Sequence, residues 1–185
     1  MFTISEESSQ YVRRSSNEEF SPGCVAQTVK HPTQVMVWSI MSYKGSGRLY
    51  IVKGIMNQQQ YKQVLEERLL PQLREWFPDK DCVFMQDGAP CHKAKTVLKF
   101  LAEENIKLLP WPGNSPDMNP IENLWAIVKK KLRKSNITTK VGLIQKLIQI
   151  WHHDPEITGS CLKLVEGMPH RIDSLINSKG MHAKY

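Results

Sequence analysis

The apolar residues of this chain change their spacing partway along it, and that change constrains the fold more than any other feature. Near the start, residues 2–4, 35–42 and 48–52 form short strand-like apolar runs. The last two flank Tyr43-Lys44-Gly45-Ser46-Gly47, a glycine-bearing turn, which is the pattern of a hairpin. From Asn57 the period becomes helical. Tyr61, Val64, Leu65, Leu69 and Leu73 recur on one face of a helix expected to run to Trp76. A short buried-type strand is expected at 82–85, a helix at 93–105, a strand at 106–109 and a proline-rich loop at 110–119. Helices then follow at 120–134, 141–152 and 158–177. A hairpin followed by strands alternating with helices defines an α/β domain with a mixed sheet flanked by helices. Residues 13–34 hold Pro22, Gly23 and Pro32 among mixed charges and read as a long loop, a type that is usually functional or mobile.

With 185 residues, 41% of them hydrophobic, the chain has enough material for one core. Its net charge of +7 favours polyanionic partners, nucleic acid or an acidic membrane surface among them. The four cysteines, Cys24, Cys82, Cys91 and Cys161, form no C-x-x-C pair, so neither a zinc knuckle nor a redox motif is signalled. No run of about 18 apolar residues suggests a membrane span.

Two acids stand where chemistry is usually placed. Asp87 follows the strand expected at 82–85, and the carboxyl ends of sheet strands are where α/β folds put their sites. The same residue, in Asp87-Gly88, also suits a plain turn. Glu122 lies three residues after Asn119, with Pro120 at the first helical position. That is capping-box spacing, in which Glu122 would bond back to the N–H of Asn119. Glu122 also adjoins the apolar stripe of Ile121 and Trp125, so it is equally placed to lean toward the sheet. A strand-end and a helix-start carboxylate together can share hard cations, which take few carboxylates plus water and phosphate oxygens. Two such ions can activate a nucleophile and stabilise a leaving oxygen on phosphorus. That chemistry wants a third acid, and Glu6, Glu7 and Asp117 are the candidates. His92 falls near the same sheet edge, where it can orient phosphate or water, or serve as a structural group. Helical periodicity also expects Trp125 buried and Lys129 exposed.

Gln86-Asp87-Gly88-Ala89-Pro90-Cys91-His92 and the block from Trp111 through Asn119 to Trp125 resemble the Tc/mariner transposases of the DDE superfamily. The 34 residues between Asp87 and Glu122 match the spacing of one branch, and Val35-Met36-Val37-Trp38 with Lys44-Gly45 resembles it too. The similarity runs from about Ile4 to Asn177. It implies a ribonuclease H-like fold over residues 1–178, with 179–185 as a tail, and strand cleavage and transfer dependent on Mg2+ or Mn2+, two ions when active. It makes Asp87 the second metal acid and Glu122 the third, with Asn119 and Asp117 from the same block, and His92, as supporting residues. The first acid of the family lies in a Ser-Asp-Glu-Ser stretch. Here that stretch reads Ser5-Glu6-Glu7-Ser8, which puts Glu6, one methylene longer, at the first position. Family members carry helix-turn-helix DNA-binding domains upstream, and this chain is expected to lack them.

Basic residues follow the acids. Lys129, Lys130, Lys131, Arg133 and Lys134 share the helix that Glu122 begins, and Lys93, Lys95 and Lys99 form a second stripe. Lys93, Lys95, Lys129, Lys130 and Arg133 are expected to meet DNA phosphates, although a solvated helix face would look the same. By analogy with mariner enzymes, residues 13–34 are a clamp that pairs two subunits, and the location is nuclear. Three functions are expected from these features: a metal-dependent DNA strand-transferase domain, a catalytically inactive DNA-binding or dimer-poisoning derivative, and a stand-alone ribonuclease H-like nuclease.

Overall fold

The computed structural model describes residues 2–5, 34–112, 115–135 and 137–178. Its centre is an antiparallel ladder of β1 (Phe2–Ser5), β2 (Gln34–Trp38) and β5 (Tyr50–Val52), in the order β1-β2-β5. Side chains alternate across it, as the period of two requires. Val35 and Val37 join Ile4 in one core; Trp38 and Val52 face the other. The first core is closed by α4 (Pro120–Arg133), α5 (Lys140–His153) and α6 (Pro155–Glu166), through Leu124, Trp125, Val128, Leu147, Trp151 and Ile157. The second is closed by α1 (Gln58–Val64) and α3 (Lys95–Glu103), through Tyr61, Val64, Val97 and Phe100. Helices thus cover both faces of a sheet, the three-layer arrangement of an α/β domain.

The hairpin is present, with a shift of register in it. Trp38 pairs with Tyr50, but β3 (Met41–Ser42) pairs with β4 (Gly45–Ser46) one residue out of step, so the returning arm carries an extra residue. Gly47 sits in this bulge. A Cβ there would lie 2.5 Å from Ile40 and 2.9 Å from the Trp76 ring, so only glycine fits. The bulge is tied to α5 on both sides: Trp151 Nε1 donates to the Gly47 carbonyl at 2.8 Å, and Ser46 Oγ donates to the Trp151 carbonyl at 2.9 Å. Trp151 also stacks on Trp125, with centroids 4.4 Å apart.

β6 (Val83–Phe84) and β7 (Lys107–Leu108) form a separate parallel pair. Both parallel and antiparallel pairings therefore occur, in three sheets among the described residues. The expectation of a fully buried strand at 82–85 is corrected. Phe84 and Leu108 pack on the second core, while Val83 is 57% exposed, because only one face of this ladder is covered.

Two helices differ from expectation at prolines. The helix from Asn57 to Trp76 is interrupted by a π-helical segment, Leu65–Leu69, before α2 (Leu70–Trp76). Pro71 has no N–H for the carbonyl of Glu67 and its ring would crowd that carbonyl, so the ladder widens and Leu70 N–H donates to the Leu65 carbonyl instead. The single helix expected at 158–177 is two, α6 and α7 (Met168–Asn177), divided at Gly167 with Pro169 just beyond. Trp125 is buried, as its period requires; Lys129 is half-buried rather than exposed. No helix among the described residues is long and apolar enough to cross a membrane.

Candidate active site

Asp87 lies just beyond the carboxyl end of β6. Its strand-end position and its turn role are found together. Its Oδ1 accepts from the Ala89 N–H at 3.0 Å, an Asx turn, and His92 Nδ1 lies 2.6 Å from the same oxygen. The turn is what brings His92 back: the His92 and Lys93 N–H groups donate to the Ala89 carbonyl at 2.9 and 3.2 Å. The hydrogen bond from His92 holds the Asp87 carboxyl well below the usual carboxylate range. The Ala89 N–H adds to this and burial opposes it. Asp87 is therefore an anion at any ordinary pH.

His92 is 2% exposed and stacks on the Tyr61 ring at 4.0 Å between centroids. Of its two expected roles, the structural one is visible: it holds the Asp87 carboxylate, while its ring also lines the cavity beside the site. Tyr61 and Gln86 complete the arrangement, and the sequence reading had treated Tyr61 only as an apolar helix residue. The Tyr61 hydroxyl donates to Gln86 Oε1 at 2.7 Å, and Gln86 Nε2 donates to the His92 carbonyl at 3.2 Å.

Glu122 sits in the first turn of α4. Asn119 caps that helix through its side chain, Oδ1 accepting from the Ile121 N–H at 3.3 Å. The Asn119 N–H donates to the Pro116 carbonyl at 3.1 Å, so the capping-box role for Glu122 is already filled by backbone. The Glu122 carboxyl is half-buried, and burial pushes its pKa up; the charge of Asp87 adds to that and Lys129 opposes it. The two acids thus lie within electrostatic reach of each other, with Lys129 near the same point. Asp117, half-buried, contributes its carbonyl, which accepts from Arg171 at 3.4 Å. Arg171, buried on α7, also donates to Asn123 Oδ1 at 2.8 Å, so α7 braces the loop and first turn that carry Glu122. No motif in the sequence pointed to Arg171.

Glu6 and the loop 13–33 lie outside the described residues, as does the tail 179–185. Among the basic residues, Lys93, Lys95, Lys130 and Arg133 are exposed. Lys131 differs. Its ammonium is bound to Asp154 at 2.8 Å and Glu156 at 2.7 Å, tying α4 to the start of α6. A cavity of about 460 Å³ borders the site, lined by Trp38, Tyr61, Phe84, Asp87 and Asn119.

The layered sheet with these two acids at a strand end and a helix start is of the ribonuclease H-like fold class. The fold matches solved mariner structures: the Mos1 transposase catalytic domain with raltegravir and Mg (TM-score 0.73, 21% identity, 82% of this chain and 78% of that one) and the Mos1 paired-end complex with the left transposon end (TM-score 0.80, 20% identity, 99% and 55%). A family model described as DDE superfamily endonuclease matches residues 7–144, and the chain belongs to that family. Its relatives include the Tcb2 transposase of Caenorhabditis briggsae (31% identical, 95% of this chain, 64% of the relative) and the Tc1 transposase of Caenorhabditis elegans (32%, 95% and 63%). The chain thus spans a little under two thirds of the length of these Tc/mariner relatives.

Proposed function

We propose that this domain performs metal-dependent DNA strand cleavage and transfer, with Asp87, Glu122 and Glu6 holding Mg2+ or Mn2+, two ions when active. One observation carries the reading. Asp87 and Glu122 are two half-buried carboxylates in mutual electrostatic reach; both donors on Asp87 fall on one oxygen, and the N–H that Glu122 would cap is taken by the Pro116 carbonyl. An all-oxygen, partly desolvated pair is the donor set hard divalent cations prefer. A bound cation would polarise a phosphodiester and neutralise a developing oxyanion. The chain's own residues do the rest. Asp87 stays ionised and held by its turn, Glu122 lies in the first turn of a capped helix within its electrostatic reach, and Arg171 braces the loop before that helix. DNA is the partner. Lys93, Lys95, Lys130 and Arg133 supply exposed phosphate contacts, with Lys129 nearest the acids. A nuclear location and pairing of two copies through residues 13–34 follow from the same reading.

A second reading, an inactive DNA-binding or dimer-poisoning derivative, is favoured by one feature, Glu6 at the first acid's position. Calorimetric titration with Mn2+ separates the two. Uptake that Asp87→Asn and Glu122→Gln each abolish supports the metal site; no uptake by the unaltered chain supports the inactive derivative. Cleavage of RNA–DNA hybrid in preference to duplex DNA would instead identify a stand-alone nuclease.

A further inference from the structure

The surroundings of Asp87 are more elaborate than an Asx turn needs. The Ala89 N–H alone would close the turn, at 3.0 Å. Three further side chains converge on the same few atoms. His92 reaches Asp87 Oδ1 at 2.6 Å, Tyr61 packs flat against the imidazole at 4.0 Å, and Gln86 bridges the Tyr61 hydroxyl and the His92 carbonyl at 2.7 and 3.2 Å. These contacts join α1, the strand end and the following turn. The imidazole is almost fully buried at the wall of the cavity beside Asp87. His92 Nε2 is buried and has no hydrogen-bond partner among the described residues. The one polar bond the buried ring makes to a side chain is to the Asp87 carboxylate.

Both assigned donors fall on one oxygen. Oδ1 receives the Ala89 N–H and His92 Nδ1, and Oδ2 takes no hydrogen bond from a described residue. Because an ionised carboxylate accepts, Nδ1 carries the proton, and the ring orientation is fixed by the Tyr61 stack.

We propose that His92, Tyr61 and Gln86 are positioning residues that lock the Asp87 carboxylate in one rotamer and one orientation, leaving Oδ2 as its metal-binding oxygen. This rests on the metal-site reading above. A ligand carboxylate held this way loses little freedom on binding the ion, and partners behind metal ligands typically change affinity by about 10–100-fold. The clamp also explains the choice of side chains: Tyr61 gives a flat face and a hydroxyl, and phenylalanine would give only the face.

The experiment is Mn2+ affinity by calorimetry on the full chain, alongside circular dichroism and melting temperature. His92→Phe keeps the stack and removes the donor; His92→Asn restores a donor at the position of Nδ1; Tyr61→Phe removes only the hydroxyl. The expected result is a fall of about tenfold or more in Mn2+ affinity for His92→Phe, partial recovery in His92→Asn, and a smaller fall for Tyr61→Phe, with the fold intact. Folded His92→Phe binding Mn2+ within twofold of the parent overturns the proposal. If His92→Phe does not fold, Tyr61→Phe decides, and unchanged affinity there overturns it. Asp87→Asn tells the two ideas apart. If that variant also binds Mn2+ as the parent does, the metal-site reading itself has failed; if it loses binding while the clamp variants keep theirs, only the clamp has.

Discussion

Asp87 and Glu122 have opposite electrostatic settings, and the difference sets how each responds to pH and substitution. Asp87 is ionised more readily in the fold than in the unfolded chain, so its contribution to stability is present above the unfolded carboxylate range and is lost as pH falls through its lowered native value. Glu122 has the reverse sign. Its raised pKa means that its charged form is disfavoured in the fold, so a relative advantage present at low pH is lost as pH rises through the raised native value. Glu122→Gln is therefore expected to raise the melting temperature by a few degrees at pH 7 in the absence of divalent metal, and to remove the rise that Mn2+ gives the parent. A thermal melt with and without Mn2+ checks both; a lower melting temperature for Glu122→Gln in metal-free buffer would contradict the desolvation account. Asn119→Ala should cost about 1 kcal/mol through loss of the cap, read from urea denaturation. Sequence made the acids legible because strand-end and helix-start placement follows from local patterning. It left cap and ligand undecided for Glu122, because Asn-x-x-Glu serves either. The bond that fills the capping-box role, the Asn119 N–H donated to the Pro116 carbonyl, depends on how the 115–119 turn closes.

Among the elements, the bulged hairpin and α5 stand or fall together. Trp151 fills the first core, stacks on Trp125 and satisfies the Gly47 carbonyl, so Trp151→Phe removes one hydrogen bond and leaves a buried acceptor at a cost of about 1–3 kcal/mol. Gly47→Ala should cost about 1–3 kcal/mol by forcing Ile40 and Trp76 apart. The two sites are coupled through one carbonyl, so their effects in the double variant should fall short of the sum, as urea denaturation would show. Full additivity would mean that the bulge and Trp151 act independently. Helix positions were readable from the apolar period, and so was the burial of Trp125. The breaks at Pro71 and Gly167-Met168-Pro169 are also written in the sequence, but the apolar period runs through them and masks the missing N–H. Tyr61 and Arg171 were not legible. Their spacing is that of ordinary helix residues, and their polar partners come from 25 and 48 positions away.

At the scale of the whole molecule, a +7 chain with exposed Lys93, Lys95, Lys130 and Arg133 is expected to bind DNA weakly, without strong sequence preference and with steep salt dependence. Replacing Lys130 and Arg133 with alanine should weaken binding to every sequence alike and lower the slope of log affinity against log salt by about 2. A filter-binding series over salt concentration tests this, and tight preference for one sequence at physiological salt would contradict it. Lys131→Ala should instead lower stability with little effect on that slope, because its charge is spent on Asp154 and Glu156. We propose that Asp87 and Glu122 form a metal-dependent strand-cleaving centre weakened by glutamate at position 6. The most direct measurement is nicking of supercoiled plasmid in Mn2+ by four proteins: the parent chain, Glu6→Asp, Asp87→Ala and Glu122→Gln. The account predicts slow nicking by the parent, faster nicking by Glu6→Asp, and background for the other two. Nicking by Asp87→Ala at the parent's rate would contradict it.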